Sequence, residues 1–303
     1  MVPGLGPVRF RRLLDHFRSA DLVWSANSGD LRKAGLDARV VDSFITTRAS
    51  LSLDQISARL EASGAQALTW LDSDYPPLLL DTYAPPPVLY VRGSLASADR
   101  TSIAVVGTRL ASTYGKQVTE RLVADLASNG LTIVSGLARG IDTHAHQTAL
   151  QHQGRTIAVL GTGVDVVYPP ENAKLTEQIV DRGAVVSEYP IGTDPEAPNF
   201  PARNRIIAGM TLGTLVIEAG VRSGALITAG MALDLGREVF AVPGSLFNRH
   251  SEGTSALIQQ SGAKLVTSAA DVLEELNVAV VTQQLDMKEL IPENDTERLL
   301  LQQ

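Results

Sequence analysis

Over roughly the first seventy residues the apolar positions recur at helical spacing. Phe10, Leu13, Leu14 and Phe17 share one face, and Val40, Val41, Phe44 and Ile45 share another. This predicts a small helical domain over residues 1–70. Prolines 76, 77, 85, 86 and 87 then exclude helix interior or central strand, so 71–100 reads as a Pro-rich linker packed on the main domain, with a short strand over Val88–Val91. From residue 101 the pattern changes to short apolar runs alternating with amphipathic stretches. Strands are predicted at Ile103–Val106, Thr132–Ser135, Thr156–Leu160, Ala184–Ser187, Thr214–Ile217, Glu238–Val242 and Lys264–Val266. Between the first two, Tyr114, Val118, Leu122 and Leu126 form an i, i+4 stripe that Gly130 closes. Continuously apolar strands separated by helices imply a parallel sheet covered on both faces: a doubly wound α/β domain over residues 101–281. Residues 282–303 form an acidic tail in which Thr296–Gln303 begins to look like a capped helix.

Composition narrows the classes. At 303 residues, with 44% hydrophobic and 19% charged residues, the chain suits one large core and a small companion domain. No stretch has the length and apolarity of a membrane helix and the N-terminus lacks a secretory signal pattern, so a cytoplasmic protein with no membrane partner is expected. With no cysteine, disulfides, thiolate nucleophiles and Cys-type zinc sites are excluded. Basic and acidic residues balance at 11 each before Thr101, stand at 13 against 17 to Val281, and at 2 against 5 beyond, for a net charge of −7. Composition alone therefore argues against a nucleic-acid partner, and any polyanion must be held by a local basic cluster.

Ligands of open parallel sheets sit beyond the carboxyl ends of the strands. The predicted loops there read Gly107-Thr108-Arg109, Ser135 to Gly140 with Gly136 and Arg139, Gly161-Thr162-Gly163, Glu188-Tyr189 and Glu218-Ala219-Gly220. Glycines let backbone amides approach a ligand, helix N-termini favour anions, and guanidinium forks match phosphate oxygens. Each glycine singly is more often only a tight turn. In "NFPARNRIIAG" a helix starting near Ala202 brings Arg203, and with it Arg205, to the same edge. At i, i+2 the two diverge, so one faces the ligand and the other is placed to pair with Glu188 or Glu218. Ser223-Gly224 in "VRSGALITAGMAL" is either another anion nest or a simple helix cap. Asp142, His144 and His146 tempt a metal reading, but histidines at i, i+2 point apart, which favours an Asp cap with His146 packed or hydrogen-bonded. The dinucleotide fingerprint fails in both halves, no P-loop is present, and no G-x-S-x-G elbow occurs.

Seven ordered blocks, "VVGTR", "SGLARGID..AH..AL", "AVLGTGVDVVYP..N", "SEYP", "NFPARNRIIAG", "EAGVRSGALITA" and "VFAVPGS", together resemble the DprA/Smf family of DNA-processing proteins, over about Leu71 to Leu276. "LRKAGLDARVVDSF" similarly resembles part of a helix-hairpin-helix or SAM-like module. The family resemblance implies an extended Rossmann domain and a non-catalytic protein of natural transformation. Such a protein binds and protects single-stranded DNA, helps load the RecA recombinase, and forms a homodimer through the Rossmann domain. No cofactor and no metal are expected. Carried over, Gly107, Thr108 and Arg109 match the family's phosphate-binding motif, and Arg203, Asn204 and Arg205 match its "PARNR" block. Lys174, close to Tyr168 and Asn172, is the nearest counterpart of a basic residue the family carries by "YP..N". On this reading Arg109, Arg139, Lys174 and Arg203 hold successive phosphates while Tyr168 or Phe200 stacks a base. Many members end in a winged-helix domain, whose first helix would begin at Thr296. The alternative is a nucleotide phosphoribohydrolase of the lysine-decarboxylase-like group, whose PGGxGTxxE motif "TLGTLVIEAG" with Glu218 matches incompletely. Thr254–Val266 is a candidate dimer patch.

Overall fold

The computed structural model describes residues 2–277; the expected helix start at Thr296 and the acidic tail lie outside the described residues. Five helices come first: α1 (Pro7–Phe17), α2 (Ala20–Ser25), α3 (Ser28–Lys33), α4 (Ala38–Ser50) and α5 (Leu53–Ala62). Ser19, Asn27, Asp37 and Ser52 start the last four, each side chain accepting a hydrogen bond from a first-turn amide that has no helical partner. Leu13, Leu31, Val41 and Phe44 fill a core of their own. Against the following segment lie Arg11, 4.7 Å over the Trp70 ring, and Phe10, 5.9 Å from it.

The elements that follow are β1 (Gln66–Thr69), α6 (Pro77–Leu80), β2 (Val88–Gly93), β3 (Ser102–Val106), α7 (Thr113–Ser128), β4 (Thr132–Ser135), α8 (Ile141–Gln151), β5 (Thr156–Val159), α9 (Ala173–Arg182), β6 (Ala184–Ser187), α10 (Asn199–Gly209), β7 (Gly213–Val216), α11 (Gly224–Asp234), β8 (Glu238–Ala241), α12 (Glu252–Gln259), β9 (Lys264–Leu265) and α13 (Ala269–Glu275). All nine strands form one sheet, in the order β1-β2-β6-β5-β4-β3-β7-β8-β9. The seven from β6 to β9 run parallel, and their side chains alternate between faces. Ala104 and Val106 join one core layer, while Ile103 and Val105 join the other. The doubly wound expectation is met, with an antiparallel extension at one edge where β2 pairs with β6 and β1 with β2.

The Pro-rich segment supplies the expected strand, as β2, and adds the short helix α6, while β1 lies within the residues expected to form a helical domain. Pro76 caps α6 and Pro77 opens it, positions where a missing N–H costs nothing. In the same way α10 starts at Asn199, three residues before the expected Ala202. Pro201 falls within its first turn, which tolerates proline.

Candidate functional site

The winding direction reverses between β3 and β7. From β3 the chain steps outward through β4, β5 and β6, then crosses back to β7 and continues through β8 to β9. Loops leaving β3 and β7 diverge, which opens a crevice at their carboxyl ends. An open cleft of about 920 Å³ lies there. One wall carries Gly107, Thr108 and Arg109 with Tyr168, Phe200, Arg203 and Asn204; the other carries Gly220 to Ala225 with Arg249 and His250.

Thr108 is the anchor of the first wall. Its N–H donates to the Glu218 carbonyl at 2.7 Å, its carbonyl accepts from Ile141 N–H at 3.2 Å, and its Oγ1 accepts from Leu110 N–H at 3.2 Å. Gly140 permits this approach, for it has φ +79° and a Cβ there would lie 2.2 Å from the Thr108 carbonyl. Arg109 is an exposed arm on this fixed base, with no ion pair among the described residues. Its guanidinium lies 6.0 Å from the Phe200 ring centroid, and Phe200 lies 5.3 Å from Tyr168. A cation beside two aromatic faces suits a ligand with both anionic and π surfaces. Across the cleft, Ser223 Oγ caps α11 by accepting from Ala225 N–H at 3.3 Å, so the positive end of that helix dipole meets the same space.

Arg203 plays a different part. It is only 5% exposed, and its Nη1 donates to the carbonyls of Gly136, at 2.8 Å, and Val159. Asp142, also buried, accepts from Gly136 N–H at 3.1 Å and Ala138 N–H at 3.4 Å. Both side chains press on Gly136, where a Cβ would lie 2.5 Å from Arg203 Nη2 and 2.7 Å from Asp142 Oδ2. Burial pulls the Arg203 guanidinium down to about 10, opposed by Asp142 and aided by neighbouring Arg109. Burial also pushes the Asp142 carboxyl up to about 6, against the pull of Arg203. Arg203 thus pins the floor of the cleft from below. Arg109 and Arg203 both line the cleft, the first exposed and the second spent on structure.

Of the fourteen residues expected to contact a strand, nine line the cleft: Gly107, Thr108, Arg109, Tyr168, Phe200, Arg203, Asn204, Ser223 and Gly224. Asn204 is largely committed, its Nδ2 donating to the Gly224 carbonyl at 3.4 Å. The other five are turned elsewhere. Gly136 is enclosed by Arg203 and Asp142. Arg205 donates to the Ala84 carbonyl at 3.0 Å and pairs with Glu188 at 2.5 Å, and burial raises the Glu188 pKa against that pairing. Arg139 pairs with Glu171 at 2.5 Å on the surface. Asn172 is buried, donating to the Leu137 carbonyl at 3.0 Å and Thr143 Oγ1 at 2.9 Å. Lys174 is exposed on α9, outside the cleft lining. Three cleft residues, Arg222, Arg249 and His250, were not anticipated. Arg249 follows β8, and the strand-end rule applied to that loop finds it.

Glu218 and His146 are structural in the same sense. Glu218 is 1% exposed and accepts from Ser112 N–H at 3.0 Å, Ser112 Oγ at 2.6 Å and Asn248 Nδ2 at 3.2 Å. His146 Nδ1 lies 2.7 Å from Thr156 Oγ1, whose hydroxyl donates to the Ile133 carbonyl. The hydroxyl has one hydrogen to give, so Nδ1 carries the imidazole hydrogen and Nε2 is left bare. Asp142 and His146 thus turn to different partners.

Comparison with known proteins gives the family and the fold. Residues 66–277 match the family described as DNA recombination-mediator protein A. The protein Smf of Synechocystis is 40% identical over 296 residues, covering 96% of this chain and 74% of its own. The X-ray structure of DNA processing protein A from Streptococcus pneumoniae superimposes with a TM-score of 0.81 at 41% identity, over 90% of this chain and 94% of that one. DNA processing protein A of Helicobacter pylori, solved for its single-stranded DNA binding mode, gives a TM-score of 0.64 at 30% identity, over 72% and 98%. Among the described residues no helix is long and apolar enough to cross a membrane.

Proposed function

The chain belongs to the DNA recombination-mediator protein A family, and from that premise we propose that it binds single-stranded DNA, without sequence preference, in the cleft at the switch point of its sheet. The observation that carries this reading is the unpaired Arg109 guanidinium poised over Phe200 at the mouth of an open cleft. The hydroxyls of Thr108 and Ser223 and the Gly224 amide at the start of α11 supply donors for phosphates, and Phe200 with Tyr168 offers stacking surface to any base. The net charge of −7 does not oppose this, because carboxylates more than about 8–10 Å away are screened at physiological salt. Arg203 and Asn204 hold the shape of the cleft rather than the strand.

The family premise further supports a cytoplasmic, non-catalytic homodimer that shields incoming strands and hands them to RecA. Pairing two modest clefts on one strand raises affinity without new contacts. Hydrolysis of nucleoside monophosphates is disfavoured by Glu218, a buried carboxylate whose two oxygens are spent on three donors from Ser112 and Asn248 and are therefore poorly placed as a catalytic base. A gel-shift titration with single- and double-stranded DNA at two salt concentrations tests the reading. Preference for the single strand, weakening with salt, is expected, and absence of single-strand binding at low salt overturns it.

A further inference from the structure

The second wall of the cleft carries its own cations. Arg222 and Arg249 are exposed, line the cleft with His250, and have no ion pair among the described residues, in a chain where Arg92, Arg139, Arg155 and Arg205 all do. One carboxylate, Glu252, shares that wall. Next to them stands a loop that is held at both ends. Tyr114 Oη donates to the Pro243 carbonyl at 2.7 Å, and Asn248 Nδ2 donates to Glu218 at 3.2 Å. Between these anchors a turn, closed by Asn248 N–H on the Ser245 carbonyl at 3.0 Å, holds Leu246 91% and Phe247 99% exposed. A large aromatic side chain is thus held in water on a fixed turn, two residues along the chain from Arg249, which has no ion pair among the described residues.

We propose that Arg222, Arg249 and His250, with Phe247 at their lip, form a second subsite for single-stranded DNA, so that a strand anchored at Arg109 and Phe200 crosses the cleft and leaves over the loop after β8. The inference rests on the reading that the cleft holds single-stranded DNA. Arg222 and Arg249 take phosphates, and Phe247 stacks a base beyond the first pocket. A short strand fills the first pocket alone, and only a longer one reaches the second wall.

The test is fluorescence anisotropy with labelled oligothymidylates of about 5 and about 15 nucleotides, a range typical of single-strand sites. All altered side chains are exposed, and thermal melts confirm that each variant folds. Arg222→Ala/Arg249→Ala is expected to weaken the long oligomer about tenfold or more and to lower its salt slope by roughly 1.4, two phosphates at about 0.7 each, leaving the short one within about twofold. Phe247→Ala is expected to weaken the long oligomer roughly fivefold or more, with recovery in Phe247→Tyr. If the double variant binds both lengths as the parent does while Arg109→Ala loses both, the second subsite is refuted and the first pocket stands. Equal losses for both lengths also refute it, because the second wall is then part of the first pocket. If the parent binds neither oligomer at low salt, the functional reading itself falls.

Discussion

Arg203→Met separates a structural guanidinium from a ligand-binding one. The substitution keeps an unbranched, apolar stem and removes the charge. Two buried carbonyls, Gly136 and Val159, lose their donor, at about 1–2 kcal/mol each. Asp142 loses its compensating charge, but this part is bounded. The carboxyl already titrates at about 6, so neutralising it at pH 7 costs about one pH unit, or about 1.4 kcal/mol, after which no buried anion remains. The expected destabilisation is about 3–5 kcal/mol, within the range for breaking a buried pair. Urea unfolding at pH 7, followed by circular dichroism, reads it directly. In an Asp142→Asn background the same substitution should cost about 1 kcal/mol less, because there is no charge to strand. A loss below about 1 kcal/mol combined with tenfold weaker oligothymidylate binding would refute the structural role and return Arg203 to the strand.

Gly140→Ala forces a Cβ to within 2.2 Å of the Thr108 carbonyl at a positive φ, so melting should show a loss of about 2 kcal/mol or more and strand affinity should fall as the Arg109 loop shifts. Burial holds the His146 imidazole down at about 3 against an unfolded value near 6.5, so the unfolded chain binds a proton that the folded chain refuses, and stability falls as pH drops from about 6.5 toward 3. Asp142, raised to about 6, opposes this between about 6 and 4, so the comparison is best made in Asp142→Asn: adding His146→Gln should flatten the decline, and an unchanged decline contradicts the assignment. Glu218→Gln presents a donor to donors and should cost about 1–3 kcal/mol in urea unfolding, with parent and variant equally unable to release free base from a nucleoside monophosphate.

The buried parallel strands were legible because their apolar runs are continuous, and the structure moves their ends by about one residue. β1 was not legible. Its four residues, Gln66–Thr69, lie at an edge, half exposed, with no apolar run to mark them. The start of α10 was displaced because Pro201 reads as a break, whereas a first turn accepts it. Arg109 could be picked out because the loop after the first strand of such a sheet opens at the switch point. The fate of Arg203 could not, since its partners are backbone carbonyls 67 and 44 residues away and a carbonyl leaves no trace in sequence. Arg205 could be placed only as far as a choice of two carboxylates, and the fold selects Glu188.

The central claim is that an exposed guanidinium on a fixed loop grips the phosphates of a single strand. The salt dependence of oligothymidylate binding by the parent and by Arg109→Ala tests it most directly, since Arg109 has no ion pair among the described residues whose loss could confuse the result. Weaker binding to every sequence is predicted, with a log–log salt slope shallower by roughly 0.7, the share of one neutralised phosphate. Unchanged affinity and an unchanged slope contradict it.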